Sequence, residues 1–412
     1  MSTQREPKNT SVLISGASIA GPTLAYWLNR YGFQVTVVER AAGLRPGGQA
    51  IDVRGPALEV AERMGVLKEI RRNSTALRGM SVVDADGNEL SRTTEHTMSG
   101  GQIDSPDVEI LRDDLAQILY DAGGSGIEYL FGDSIATLEQ DDDEVRVTFD
   151  SGASRVFDLV VGADGVHSHT RGLVFGPEEN YLRHLGGYLG VWTVPNHLGL
   201  DRWEVIHLMP GSPVWGAMVM SVRDNAEARA FIGIDSDEPP ARFLPKDPAE
   251  QKHLVARAYA HAGWELPRLL KEMWNAPDFH LDALAQIHMD TWSHGRVTLL
   301  GDAGYCGSPA SGLGTTMAMA AAYTLAGELA TTPDDHGTAF TAYERVLRDF
   351  VSDTQAFALL NQAAMRAQRD PATDHPTPPT HPEDEATAQL VTKLGAFRLK
   401  DYRAVLLNSG GA

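Results

Sequence analysis

The sequence has 412 residues and a formal net charge of −20, and it is 42% hydrophobic and 22% charged, the composition of a soluble globular protein of roughly two to three domains. The negative charge argues against binding a nucleic-acid backbone, which requires clustered Lys and Arg side chains, and the apolar stretches are too short to span a membrane. Cys306 is the single cysteine, so the chain forms no internal disulfide, and a reducing cytoplasm is the expected location.

The N-terminal segment predicts a strand, a tight turn, a helix and a second strand. An apolar run at 12–14 is typical of a buried parallel strand. Gly16, Ser18 and Gly21 then form a G-x-G-x-x-G turn in which serine replaces the middle glycine. The second strand ends at Glu39, where an acid binds a ribose hydroxyl in dinucleotide folds. Small residues and a helix N-terminus suit a pyrophosphate, although a βαβ crossover without a ligand has the same pattern.

Three arginines follow at positions where a cation could contact a nucleotide. Arg45 and Arg54 lie in a glycine-rich loop, and either could contact a phosphate or a ring or lie in solvent. Arg112 begins a predicted amphipathic helix. A cation is electrostatically unfavourable at a helix start, so this placement hints at function; an exposed arginine is the alternative.

Two further predicted strands end at carboxylates. One runs into Gly-Ala-Asp164-Gly165, and the other ends at Gly301-Asp302. Ligands of open α/β sheets bind beyond the carboxyl ends of the strands. A glycine-rich segment after Asp302 leads into a helix of small residues at 316–329, whose N-terminus is a favourable place for negative charge.

The middle of the chain predicts an antiparallel sheet. Residues 181–235 alternate between apolar and polar side chains and are interrupted by Pro, Gly and Asn turns. One face of this sheet is expected to cover a ligand. The candidate substrate residues, each of which could instead belong to the core, are Trp192, Trp203, Met209, Trp215, Met218 and Met220.

The three glycine-and-acid motifs, taken in order and spacing, resemble the single-component flavin-dependent aromatic hydroxylases. This is the group A family of para-hydroxybenzoate hydroxylase and the tetracycline-inactivating monooxygenases. The resemblance covers roughly residues 12–329. It departs from the family pattern at Gly304-Tyr305, where the family usually has Ala-His, at Thr316, where an asparagine is common, and at Ala321, where an acid is usual.

The resemblance implies roles for individual residues. Glu39 matches the acid on the adenosine ribose, Arg112 an arginine near the ribityl and pyrophosphate groups, and Asp302 the aspartate on the ribityl chain. Asp164 and Gly165 match a motif linked to both FAD and NAD(P)H. The full set of implied FAD-binding residues is Gly16, Ser18, Ile19, Ala20, Gly21, Glu39, Arg40, Arg45, Arg54, Arg112, Asp164, Gly165, Asp302, Pro309, Gly312, Leu313 and Gly314.

The implied fold is α/β, with a Rossmann-like FAD-binding domain of the GR2 type, an antiparallel β-sheet substrate domain and C-terminal helices. We expect FAD-binding segments at 1–75, 101–178 and 291–368, substrate-domain segments at 76–100 and 179–290, a proline-rich linker or loop at 369–385, and a C-terminal helical segment at 386–412 with its helix over about 386–407. Single elements are also expected at 56–70 (helix) and 127–138 (strand).

The implied function is an FAD-dependent monooxygenase. NAD(P)H would reduce non-covalently bound FAD, and a flavin C4a-hydroperoxide would oxygenate a hydrophobic aromatic or polyketide-type molecule, in natural-product metabolism. The alternative is a non-redox cyclase that keeps FAD as a scaffold. A flavin halogenase and a non-enzymatic nucleotide-binding module fit less well. We expect no metal site and a monomer or weak homodimer.

Overall fold

The structure is a computed structural model and describes residues 10–368 and 385–404. Its strands within these ranges are β1 (Ser11–Ser15), β2 (Gln34–Glu39), β3 (Ala50–Val53), β4 (Met80–Val83), β5 (Glu89–Thr93), β6 (His96–Thr97), β7 (Gly101–Gln102), β8 (Val108–Leu111), β9 (Ile127–Phe131), β10 (Ile135–Gln140), β11 (Val145–Phe149), β12 (Ser154–Phe157), β13 (Leu159–Gly162), β14 (Leu182–Pro195), β15 (Glu204–Leu208), β16 (Val214–Val222), β17 (Glu227–Asp235), β18 (His280–Ile287), β19 (Ser293–His294) and β20 (Val297–Leu299).

The helices in the same ranges are α1 (Ala20–Arg30), α2 (Pro56–Met64), α3 (Leu67–Arg72), α4 (Arg112–Gly123), α5 (His169–Phe175), α6 (Pro240–Phe243), α7 (Pro248–Ala258), α8 (Leu266–Asn275), α9 (Asp302–Tyr305), α10 (Gly314–Thr331), α11 (His336–Gln368) and α12 (Glu385–Ala396), with 3-10 turns at Gly124–Gly126, Glu178–Asn180 and Pro309–Ser311. No helix of the described ranges is long and apolar enough to cross a membrane.

The first sheet has the order β19-β20-β13-β1-β2-β9, and every pair except β19–β20 is parallel. Its central strands are buried apolar runs, because helices cover both faces of such a sheet. Since β1, β13 and β20 are parallel neighbours, the segments that follow them leave the sheet at one edge. The α/β fold with a Rossmann-like sheet is thereby confirmed.

The second sheet has the order β18-β14-β17-β16-β15-β4-β5 and is antiparallel except where β4 pairs with β15. Helices α7 and α8 cover one face, where Tyr188 and Trp192 pack against Leu269 and Met273. The opposite face packs on the ribbon formed by β3 and β8. The second sheet therefore has one face covered by α7 and α8 and one face packed on β3 and β8.

Helices α10 and α11 connect the two sheets. α10 is buried over most of its length and packs against α1. On α11, Asn361 Nδ2 donates to Ala310 O at 3.0 Å, and Gln355 Nε2 donates to Ile287 O at 2.8 Å. The same helix thus contacts the turn before α10 and the end of β18.

Three element predictions were wrong in their bounds. The expected helix at 56–70 is broken into α2 and α3 because Gly65 adopts a left-handed φ of 79°. The expected strand at 127–138 is divided at Gly132, whose φ is 75°, and its halves join different sheets. The helix expected over about 386–407 ends at Ala396. The predicted proline-rich linker lies almost entirely outside the described residues, at 369–384.

Candidate active site

The turn between β1 and α1 brings backbone into unusually close contact. A Cβ at Gly16 would lie 2.5 Å from Ala163 O, and a Cβ at Gly21 would lie 1.9 Å from Gly16 O. Ile19, the residue at the N-cap of α1, makes no side-chain cap hydrogen bond. Backbone N–H groups at such a helix start are available to an anion, so the local geometry fits a pyrophosphate.

Glu39 lies beside this turn at the end of β2. Its Oε2 accepts a hydrogen bond from Ala17 N and its Oε1 accepts one from Ala41 N, each at 2.9 Å. The neighbouring Arg40 is exposed. The carboxylate is therefore fixed by two backbone N–H groups at the strand end, whereas the Arg40 side chain extends from the surface.

Arg112 links the loop after β2 to the first turn. Its Nη2 donates to Arg45 O at 2.8 Å and to Gly47 O at 2.7 Å, and its Nη1 lies 3.5 Å from Ser18 Oγ. Burial lowers the pKa of the Arg112 guanidinium, and the charge of Arg45 lowers it further. The guanidinium is thus a poorly solvated cation beside the turn, while the Arg45 side chain is exposed.

Asp164 is held rigidly after β13. Its Oδ1 accepts from Ser168 Oγ at 2.5 Å, and its Oδ2 accepts from both Thr170 N and Thr170 Oγ1 at 2.9 Å. Ser168 in turn accepts from Arg171 N and so caps α5. Gly165 follows with a φ of 84°, which favours glycine. The Asp164 carboxylate therefore fixes the loop after β13 through hydrogen bonds that it accepts from Ser168 and Thr170.

Arg171 joins this second motif to the third. The side chain is fully buried, and its Nη1 donates to Ala303 O at 2.8 Å while its Nη2 donates to Val166 O at 2.7 Å. Glu178 Oε2 lies 2.8 Å from Nη2 and balances the charge. Arg171 was not among the residues predicted for the site.

The Asp302 side chain is accessible to solvent, but protein atoms lie close around its carboxyl group. Burial raises the pKa of its carboxyl group. A Cβ on the preceding Gly301 would lie 3.4 Å from Ala20 Cβ and 3.8 Å from Ala318 Cβ. The acid therefore follows a point where α1, α10 and the end of β20 meet.

The last motif forms the N-terminus of α10. Pro309 begins a 3-10 turn, Gly312 has a φ of 63°, and Leu313 caps α10 without a side-chain hydrogen bond. A Cβ at Gly312 would lie 3.6 Å from Arg54 Nη1, and Thr316 Oγ1 donates to Arg54 O at 3.1 Å. Arg54 is thus packed against this turn, and the contact had no clear signal in the sequence.

The structure therefore brings the three motifs to one edge of the first sheet. This edge carries two close glycine approaches, two helix N-termini without side-chain caps, and carboxylates at three strand ends. These features fit a dinucleotide with a long diphosphate chain. No group of His, Cys, Asp and Glu that could hold a metal ion is found among the described residues.

The six candidate substrate residues do not share one face. Met218 and Met220 belong to the face that packs on β3 and β8. Trp215 lies on that face too, because its ring occupies the space above Gly233, and its Nε1 donates to Asp235 at 2.8 Å.

The remaining three are placed elsewhere. Trp192 and Met209 pack with the helices α7 and α8. Trp203 lies at the β4–β5 side, donating from Nε1 to Ser81 Oγ at 3.0 Å beneath the guanidinium of Arg92. We therefore do not retain these three as substrate contacts, because their side chains are committed to other packing.

His167 joins two elements that are far apart in the sequence. Its Nδ1 lies 2.9 Å from Glu178 Oε1 and its Nε2 lies 3.0 Å from Asp282 Oδ1 of β18. Hydrogen bonds to Asp282 and then Glu178 raise the pKa of His167 to about 10. The imidazolium therefore connects the Asp164 loop to the second sheet, a contact visible only once β18 is placed.

Comparison with known proteins agrees with this geometry. The sequence profile of the family described as "FAD binding domain" matches residues 9–355. A protein of Mycobacterium tuberculosis, "Uncharacterized protein Rv1260", is 52% identical over 345 residues, covering 84% of this chain and 91% of that protein. A "Flavin-dependent monooxygenase" of an unknown prokaryotic organism is 41% identical over 353 residues, covering 86% of this chain and 89% of its own.

Solved structures give the same result. Tetracycline destructase Tet(51) superposes with a TM-score of 0.82 at 32% identity, covering 96% of this chain and 100% of that one. Tetracycline destructase Tet(55) superposes with a TM-score of 0.78 at 35% identity, covering 99% and 98%. The chain belongs to the FAD-binding family of flavin-dependent aromatic hydroxylases and monooxygenases. It is an FAD-dependent oxidoreductase.

Proposed function

We propose that the protein uses NAD(P)H and O2 to oxygenate a hydrophobic aromatic or polyketide-type small molecule, in natural-product metabolism. The observation that carries the proposal is the meeting of three FAD-type motifs at one sheet edge, beside a second sheet whose apolar face packs on β3 and β8. FAD supplies the chemistry, since a reduced flavin activates oxygen for transfer to an organic substrate.

The chain's own residues bind and orient. The turn containing Gly16 and Gly21 would receive the pyrophosphate, Glu39 the adenosine ribose and Asp302 the ribityl chain. The N-terminus of α10, with its positive dipole end, would favour negative charge on the pyrimidine side of the ring. Arg112 would balance the diphosphate charge.

The second sheet would exclude water and select the substrate. The face that packs on β3 and β8 carries Val191, Phe231 and Met218, with the Trp215 ring lying over Gly233. Apolar and aromatic side chains of this kind suit a flat, hydrophobic molecule. Because the Tet(51) and Tet(55) relatives are tetracycline destructases, tetracyclines are the first polycyclic compounds to test.

The test measures NADH and NADPH oxidation with oxygen uptake across a panel of tetracyclines, phenols and polyketides. The proposal predicts that one compound stimulates consumption of a nicotinamide and gains one oxygen atom by mass. Turnover of a linear polyene without oxygen or nicotinamide would instead establish the cyclase alternative. A flavin that neither nicotinamide reduces with any compound would contradict the redox proposal.

We also propose a cytoplasmic protein that is a monomer or weak homodimer. Its single Cys306 is buried and unpaired, as suits a reducing compartment. Light scattering at several protein concentrations measures the mass, and a stable higher oligomer would contradict this proposal.

A further inference from the structure

A buried group of acids surrounds one arginine beside the turn before α10. In the antiparallel register of β3 and β8, Asp52 lies directly opposite Glu109. Asp52 is 7% exposed, and Arg54 Nη2 contacts its Oδ2 at 2.8 Å. Asp107 Oδ2 lies 3.9 Å from Arg54 Nε. One guanidinium therefore lies within 4 Å of two carboxyl groups, Asp52 and Asp107, and a third, Glu109, lies across the ribbon from Asp52.

Arg54 also contacts the proposed flavin turn. Its Nη1 lies 3.6 Å from where a Gly312 Cβ would stand, and its Nη2 donates to Gly100 O at 2.8 Å. Its carbonyl oxygen accepts from Thr316 Oγ1 in the first turn of α10. The Arg54 side chain therefore lies beside the Gly312 turn, and its backbone is hydrogen-bonded to the first turn of α10.

The opposed acids cannot both be ionised without a large cost. Burial raises the pKa of Asp52 to about 7, despite the opposing charge of Arg54, and burial also raises the pKa of Glu109. Asp52 Oδ1 and Glu109 Oε1 are buried without a hydrogen-bond partner among the described residues. Glu109 Oε2 accepts from Thr75, and Glu204 of β15 adds a further buried acid nearby. An unpartnered ionised carboxylate is expensive to bury, so the opposed pair retains a proton until the pH rises.

We propose that Asp52 and Glu109 are positioning residues for the flavin: they hold Arg54 against the Gly312 turn, and their ionisation opposes flavin reduction there. Reduction by two electrons and one proton leaves one negative charge on the isoalloxazine ring. Ionised Asp52 offsets the positive charge of Arg54, so the reduced ring is less stabilised. By linkage, reduction must then raise the proton affinity of the acid pair. The inference rests on FAD binding at the proposed site.

The test is a spectroelectrochemical titration of the FAD-loaded protein across the pH range around the Asp52 pKa. Uptake of one proton with two electrons gives the midpoint potential an ordinary slope against pH. Near about pH 7 the wild-type potential should fall more steeply than this, because reduction also raises the proton affinity of the acid pair. Asp52→Asn should lose this additional slope. Glu109→Gln, the second variant, should lose the slope or move it to another pH.

Glu204→Gln compares a neighbouring buried acid that does not contact Arg54. Burial raises the pKa of Glu204 to about 7 too, with a contribution from the charge of Glu109, and its carboxylate accepts from Met98 N and Ser99 Oγ. This variant should keep the additional slope, at the wild-type pH or a lower one, because it removes a negative charge beside Glu109. A wild-type potential with only the ordinary slope, or the same steep slope in Asp52→Asn and Glu109→Gln, overturns the inference while leaving the monooxygenase intact. Failure of wild-type protein to bind FAD would instead contradict the proposed function.

Discussion

Gly21 shows how a missing side chain can define a binding turn. A Cβ at this position would lie 1.9 Å from Gly16 O, and neither backbone can move without displacing β1 or α1. We therefore expect Gly21→Ala to weaken FAD binding by about 100-fold or more, in line with the loss of several kcal/mol from a strained turn. Fluorescence titration of FAD into apo protein measures this.

Gly43→Ala is the matched control for that experiment. Gly43 lies in the loop after β2, and a Cβ there would meet nothing within 4 Å. Its FAD affinity should equal that of wild type. Equal affinity of the Gly21→Ala protein would show that the pyrophosphate does not use this turn.

His167 gives a pH-dependent prediction. Its pKa is 6.5 in an unfolded chain and about 10 in the folded protein, so its stabilising contribution is complete below the lower value and is lost as the pH rises through the higher one. His167→Gln should therefore lower the thermal midpoint below pH 6.5 and have little effect above pH 10.

The size of this effect is limited by solvent. The His167 side chain is 46% exposed, so a loss of about 1 kcal/mol or less is expected. The thermal midpoints of wild type and His167→Gln are compared at each pH, so the effect of groups that titrate in both proteins cancels. A destabilisation that is the same at both ends of the range would indicate a packing role and not the ion pair.

At the scale of elements, Lys400 and Tyr402, which follow α12, are anchored on α10. Tyr402 is 2% exposed, its hydroxyl donates to Glu328 Oε1 at 2.6 Å, and Lys400 Nζ contacts the same oxygen at 2.8 Å. Tyr402→Phe leaves the buried Glu328 carboxylate short of one donor. We expect the free energy of unfolding to fall by about 1–3 kcal/mol.

Urea denaturation measures that change. Lys393→Ala is a suitable control, because the Lys393 side chain is 64% exposed and its ion pair with Asp353 is 3.8 Å long. This control should change stability by less than about 0.5 kcal/mol. Wild-type stability in Tyr402→Phe would mean that the hydrogen bond between Tyr402 and Glu328 does not stabilise the fold.

The sequence predicts the elements whose pattern is local. β1, α1 and β2 follow from apolar runs and a small-residue turn over 12–39. The breaks at Gly65 and Gly132 could not be predicted with the same ease, since a single glycine inside an apolar pattern costs only about 1 kcal/mol. Alternation shows which residues of one strand share a face, but it does not show that Trp192 of β14 and Met218 of β16 lie on opposite faces, nor which face α7 and α8 cover.

The site was predictable only in part for a related reason. Carboxylates at strand ends carry a local signal, so Asp164 and Asp302 could be singled out. Asp52 and Glu109 acquire their environment when β3 pairs with β8, and His167 when β18 reaches the Asp164 loop. Contacts between segments more than 50 residues apart leave no such pattern in one sequence.

At the scale of the whole molecule, polar contacts join the motifs to each other and the first sheet to the second. Arg171 joins the second motif to the third, and on α11 Asn361 contacts the turn before α10 while Gln355 contacts the end of β18. These contacts fix the second sheet beside the strand ends that carry the FAD motifs. The proposed monooxygenase chemistry depends on that arrangement, because substrate and ring must meet away from water.

Isothermal titration of FAD into apo protein tests this arrangement most directly, with wild type beside Glu39→Ala and Asp302→Ala. These two residues come from opposite ends of the proposed dinucleotide site and are far apart in sequence. We predict binding of a single FAD by wild type and an affinity at least about tenfold weaker in each variant, as expected for lost hydrogen bonds to charged groups. Wild-type protein that takes up no FAD, or variants that bind it with undiminished affinity, would contradict the account.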